Sequence, residues 1–308
     1  MPLDLHAEWV GPIPTDPLEK VLEYQLGVDN ISDLQAKSCI ITCDERKTLD
    51  SEDATVFAKA LVDQGPTQIE YLFLPGNNFG DEGIAAITWA MENGALPKLL
   101  TVDLSRCKGT DVGFARFVSA IKHCPRLRDI IFRQNTLGDE GFAALHAVLH
   151  RDEWPNVERI NLAGAQFARH TISDASFVPF ANDLADGVVK MLRLEELEMS
   201  DNDIRDAGFA AIAVAVQRGN LRKLRSLYFV SNLITDGGAN ALAQAIAHNK
   251  RTKLFDIRLG YQNISDPTGE RVTAEGGKAA IQAAGTTLGR KVECILAPLD
   301  LGTPSPSR

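Results

Sequence analysis

Residues 69–79 read IEYLFLPGNNF. Ile69, Leu72, Leu74, Asn77 and Phe79 fall at offsets 0, 3, 5, 8 and 10 of this stretch. The same offsets return in LRDIIFRQNTL (127–137), which places Leu127, Ile130, Phe132, Asn135 and Leu137. They return again as Leu194, Leu197, Met199, Asn202 and Ile204, and as Leu224, Leu227, Phe229, Asn232 and Ile234. Looser copies begin at Leu99 (with Val102, Leu104 and Cys107), Val157 and Leu254, and a truncated one begins at Val292. Residues 38–62 read as a degenerate first copy, with Ile41 and Cys43 in its strand. A period of about 30 residues has to be read before any isolated motif.

Each copy opens with alternating apolar residues, the pattern of a short strand with one buried face. The asparagine then ends the strand, and its amide is suited to bond the backbone of its own turn and of the next. Cys107, small and weakly polar, takes that place in one copy. The second half of each copy has helical spacing, with Ile87/Met91, Phe117/Ile121, Leu145/Leu149, Ile212/Val216 and Leu242/Ile246 four apart. Ahead of it an aspartate precedes a glycine by two positions, at Asp81/Gly83, Asp111/Gly113, Asp139/Gly141, Asp206/Gly208 and Asp236/Gly238. The aspartate is expected to cap its own helix. The glycine, costly in a helix, is expected where the adjacent turn approaches the backbone closely.

One strand and one helix cannot bury their own apolar faces, so the copies must stack. Helices are about 10 Å wide and paired strands about 4.8 Å apart, so the stack curves with the helices outside. These offsets, the asparagine and the helical second half resemble the leucine-rich repeat, in its long ribonuclease-inhibitor form, over about residues 39–299. The resemblance implies an α/β solenoid, a horseshoe of about 7–8 repeats with a parallel sheet on the concave face and helices on the convex face. It also implies a binding or scaffold role, as in ribonuclease inhibitors, the sensor domains of immune receptors and tropomodulins. Ran GTPase activators share the repeat type, so activation of a small GTPase is the alternative, with Arg133 and Arg169 as candidate loop arginines. The acidic tail of those activators is missing here.

The repeats predict a domain plan: an N-terminal helical cap over 1–37, a solenoid over 38–301 and a disordered tail over 302–308. Two insertions break the period, near 166–175 and 263–275. Both follow a strand, so both belong to one edge of the horseshoe, three repeats apart.

Across 308 residues, 32 Lys and Arg against 41 Asp and Glu leave a net charge of −9. That balance argues against a nucleic-acid binder working by phosphate neutralisation, and against an anionic membrane partner. No apolar run is long enough to span a bilayer, and the start lacks the pattern of a secretory leader. Five scattered cysteines fit a reducing compartment, so a cytoplasmic monomer is expected.

Alternation also lists the residues facing the concave side. The expected protein-binding set is Tyr71, Phe73, Asp103, Arg133, Arg159, Glu196, Glu198, Tyr228, Arg258 and Tyr261. Aromatic and arginine anchors among polar groups suit a protein interface. The acidic run 195–201 suits a basic partner, with Glu196 and Glu198 both expected to point to solvent. His146 and His150 have the spacing of a helical metal pair, but the sequence offers no third ligand beside them. No phosphate loop, nucleophile elbow or zinc-binding cysteine spacing is present. The expected role is therefore non-enzymatic protein binding, with no metal and no cofactor.

Overall fold

The computed structural model describes residues 39–42, 48–152, 154–165, 170–260, 272–289 and 291–296. The expected cap and tail, Cys43, Arg169 and Tyr261 lie outside these residues. Among them strands and helices alternate: β1 (Cys39–Thr42), α1 (Ser51–Gln64), β2 (Ile69–Phe73), α2 (Gly80–Glu92), β3 (Thr101–Asp103), α3 (Asp111–Ser119), β4 (Asp129–Ile131), α4 (Asp139–His150) and β5 (Arg159–Asn161). The series continues with α5 (Asp174–Asp186), β6 (Glu196–Glu198), α6 (Asp206–Arg218), β7 (Ser226–Tyr228), α7 (Asp236–His248) and β8 (Asp256–Arg258). A π-helical turn (Ala274–Lys278) leads into α8 (Ala279–Thr287), and β9 (Glu293–Ile295) follows.

All nine described strands form one parallel sheet in sequence order. Their register aligns one residue per repeat into a spine: Leu72, Val102, Ile130, Ile160, Leu197, Leu227, Ile257 and Cys294. Every member of that spine is buried beneath the helices. So are the residues at the first offset, from Ile69 and Leu99 to Leu254 and Val292. Burying each such aliphatic side chain contributes about 1.5–3 kcal/mol, which stacking alone makes available. Phenylalanines fill the space between helices and sheet, with ring centroids 4.7 Å apart for Phe114/Phe132, 5.2 Å for Phe142/Phe180 and 5.1 Å for Phe209/Phe229. The fold is a leucine-rich repeat solenoid, with the sheet on the concave side and the helices on the convex side. No described helix is long and apolar enough to cross a membrane.

The asparagines form the expected ladder. The Asn135 side-chain oxygen accepts the Cys107 and Gly109 amides, while its Nδ2 donates to Leu104 O and Phe132 O. Asn202 and Asn232 repeat the arrangement, accepting the Ile172 and Ile204 amides respectively. Cys107 keeps a reduced version, its thiol donating to Leu74 O at 3.1 Å.

The aspartates behave differently from the expectation. Asp111, Asp139, Asp206 and Asp236 are the first residues of their helices, and the capping position falls one residue earlier, at Thr110, Gly138, Thr235 and their counterparts. Each carboxylate instead reaches the start of the next helix. Asp81 accepts the Thr110 amide and hydroxyl, Asp139 those of Ser173, Asp206 those of Thr235, and Asp236 those of Thr273. The free amides of one helix's first turn thus find their acceptor in the preceding repeat, where the helix dipole also favours an anion. Burial opposes ionisation of Asp139, but the bonds from Ser176 and Ser173 outweigh it and hold its carboxyl below the usual range.

This clamp explains the recurring glycine. A Cβ at Gly141 would stand 2.6 Å from an Asp111 carboxylate oxygen, and one at Gly238 would stand 2.6 Å from that of Asp206. Only a residue without a side chain lets the neighbouring carboxylate in.

Candidate protein-binding face

The same register that builds the spine sets two rows of side chains on the concave face. One row runs Tyr71, Thr101, Asp129, Arg159, Glu196, Ser226, Asp256 and Glu293. The other runs Phe73, Asp103, Ile131, Asn161, Glu198, Tyr228, Arg258 and Ile295. Neighbours within a row are one strand apart, about 4.8 Å, so these side chains shape one another.

Arg159, on β5, straddles the Asp129 carboxylate of β4 with Nε and one terminal nitrogen at 3.0 and 2.8 Å. Thr101 of β3 donates to the same carboxylate at 2.8 Å. Asp129 is only 4% exposed, and this paired, doubly bonded geometry is what a buried carboxylate requires. On the far side, Tyr228 donates its hydroxyl to Asp256 at 2.8 Å. The Arg258 guanidinium lies 4.6 Å from the Tyr228 ring centroid and contacts Asp256 at 3.3 Å. Burial raises the Tyr228 hydroxyl well above its ordinary value, and the Asp256 carboxylate adds to the rise.

Between these two locks stand Glu196 and Glu198. Glu196 is half-buried, and desolvation raises its carboxyl above the usual range, with the Arg159 charge opposing and Asp129 and Asp256 reinforcing. Glu198 corrects the expectation that both glutamates point to solvent: it is 5% exposed. Asn161 and Tyr228 flank it in register on the adjoining strands, and the concave curvature crowds all three. Its carboxylate oxygen accepts the Ser200 amide at 2.8 Å. Burial nevertheless pushes its carboxyl up to about 8, so it holds a proton at neutral pH.

The same local closure recurs. Asp103 accepts the Ser105 amide at 2.8 Å, and Asn161 accepts the Ala163 amide at 3.2 Å. In each case a side-chain oxygen at the strand end takes the amide two residues on, where the chain leaves the sheet. Burial raises the Asp103 carboxyl; the Ser105 bonds oppose this, as do the charges of Arg133 and Arg106.

The structure therefore gathers Arg159, Glu196, Glu198, Tyr228 and Arg258 into one continuous patch. Asp103 and Arg133 form a smaller group. Tyr71 and Phe73 stack on each other at the β2 end, with ring centroids 6.1 Å apart. Five strand spacings, roughly 24 Å, separate them from Tyr228. Alternation puts Thr101 and Asp256 on this face without a role, and their bonds to Asp129 and Tyr228 appear only once the register is known. It also missed Asp183 on α5, which meets His146 at 2.9 Å across the helix layer and lies 4.0 Å from His150. Among the described residues no group of three or more His, Cys, Asp and Glu side chains is arranged to hold a metal.

Comparison with known proteins agrees with the repeat. A family profile described as "Leucine Rich repeat" matches residues 194–213 and 220–243. The chain is 30% identical over 196 residues to the ribonuclease inhibitor of Sus scrofa, covering 63% of this chain and 40% of that protein. It is 28% identical over 208 residues to NACHT, LRR and PYD domains-containing protein 13 of Homo sapiens, covering 66% of this chain and 18% of that one. It thus spans less than half the length of either curated relative. Among solved structures, internalin C2 of Listeria monocytogenes aligns at a TM-score of 0.47 and 16% identity, over 89% of this chain and 96% of that one. The chain is a leucine-rich repeat solenoid, and over about two thirds of its length its sequence is similar to these two curated proteins.

Proposed function

We propose that this protein is a non-catalytic binding module that docks a protein partner on its concave face, centred on β5 to β8. The observation that carries the reading is the patch of Arg159, Glu196, Glu198, Tyr228 and Arg258, in which Asp129 holds Arg159 and Asp256 holds Tyr228 and Arg258 on either side of the two glutamates. Side chains fixed by their neighbours lose little freedom on binding, which favours affinity. The ribonuclease inhibitor is by its name an inhibitor of another protein, and that likeness points the same way.

The partner would present basic groups. Desolvation, reinforced by Asp129 and Asp256, raises the carboxyl of half-buried Glu196, so an incoming cation favours its ionised form. The two arginines of the patch are occupied internally, Arg159 by Asp129 and Arg258 by Asp256 and Tyr228.

The test is crosslinked capture from lysate, comparing the wild type with Glu196→Lys/Tyr228→Ala, with Phe73→Ala at the other end of the sheet as a separate arm. Loss of a partner in the double variant alone, with unchanged circular dichroism, supports the reading. Capture unaffected by all three substitutions moves the site to the helices or to the edge carrying the insertions.

A further inference from the structure

Six helix starts can be compared, because each receives an aspartate from the preceding repeat. Their capping residues are Thr110, Gly138, Ser173, Arg205, Thr235 and Thr273. Where the cap is Thr or Ser, its hydroxyl occupies the second oxygen of that aspartate, at 2.6–2.8 Å. Gly138 has no hydroxyl to offer. Its amide takes one oxygen of Asp111 at 2.7 Å, which leaves the other oxygen without its usual donor. That oxygen is met by His170 Nε2 at 2.6 Å.

His170 belongs to the first insertion, two helices further along the solenoid than Asp111. Its ring lies directly over Gly138, in the space a Cβ there would fill. The missing side chain at 138 therefore both creates the vacancy on Asp111 and makes room for the ring that fills it. Asp111 is nearly buried, whereas about half of the His170 side chain is exposed. The Asp111 bond raises the imidazole pKa above 6.5; burial opposes slightly, and the charges of Asp111, Glu140 and Asp139 add to the rise.

We propose that His170 and Asp111 form a proton-dependent clasp that ties the end of the first insertion to the start of α4. The imidazolium donates to the carboxylate in the closed form. A neutral ring keeps at most an uncharged hydrogen bond, so the clasp weakens as pH rises through the raised histidine value. The clasp stands independently of any partner on the concave face.

The experiment follows the His170 ring by NMR between about pH 5 and pH 9 in the full chain, with hydrogen exchange over residues 170–173. Three proteins are compared: wild type, Asp111→Asn and Gly138→Ser. Gly138 has an extended backbone at φ −127, so a serine fits there, restores the hydroxyl and expels the ring. It therefore separates the clasp from the stability of the helix start. The expected result is titration above the ordinary range in the wild type alone, with exchange protection falling about threefold across that titration. In Gly138→Ser the ring returns to the ordinary range while the protein stays folded. Identical titration in wild type and Gly138→Ser overturns the proposal, as does protection that is the same on both sides of the wild-type titration.

Discussion

Two rows of polar side chains follow this solenoid, one buried and the other only partly so, and they are built on opposite rules. The asparagine row varies little, with Cys107 the substitute in one repeat, and its amides are saturated. Asn135, Asn202 and Asn232 each accept an amide from the preceding repeat and return hydrogen bonds to carbonyls. The concave row is varied, and only part of it is saturated. Asp129 has Thr101 and Arg159, but Glu198, almost as buried, receives a backbone amide and stays protonated to about 8. A position that must stack the repeats tolerates little variation, and even Cys107 keeps a bond to the preceding repeat. A position whose bonds lie within its own strand end is free to vary, and it retains unused electrostatic potential for something else.

This contrast can be broken at four places. Leu197→Ala, in the apolar spine directly between Glu196 and Glu198, is expected to destabilise by about 2–5 kcal/mol in chemical denaturation, because it leaves a cavity between sheet and helices. Asn202→Ala strands the Ile172 amide and takes the side-chain donor from the Leu162 carbonyl, while Met199 O keeps its bond from Asn232, for a loss of about 2–4 kcal/mol. An Asn202→Ala protein as stable as the wild type would remove the distinction between the rows.

Glu198→Gln sharpens it. The Glu198 carboxyl is raised in the fold, so its contribution is complete below the ordinary value of 4.5 and declines from there up to about 8. The amide keeps the shape of the protonated acid and does not titrate. Melting curves should therefore show the variant gaining on the wild type from pH 5 to pH 8, with the two similar at the acid end. The smallest effect is expected at Glu196→Gln. This half-buried residue has a raised carboxyl and belongs to no shared lock, so stability should change by less than about 1 kcal/mol while affinity for a basic partner falls.

The repeat, the strand spine and the asparagine ladder are legible in the sequence because each depends on local spacing. The offset that places Leu197 in the spine also places Asn202 in the ladder, and stacking leaves neither an alternative. The aspartates show where local reading stops. Asp-x-Gly looks like a cap for its own helix, but the carboxylate serves the next one, and Gly141 and Gly238 are small to admit it. Alternation places strand residues such as Glu196 and Glu198 in the rows of the concave face, yet it does not give their exposure. Glu196 and Glu198 differ by their flanking residues on β5 and β7, which lie 37 residues before and 30 residues after them.

The sequence by itself determined that one strand and one helix recur, that they stack, and which side chains face each layer, since periodicity encodes those properties directly. Only the tertiary structure decided which charges meet. Register brought Arg159 to Asp129 and Asp256 to Tyr228, and the stacking of helix starts brought His170 to Asp111 across 59 residues. Pairings of that kind follow from distance and burial between repeats, and no spacing within a single repeat contains them.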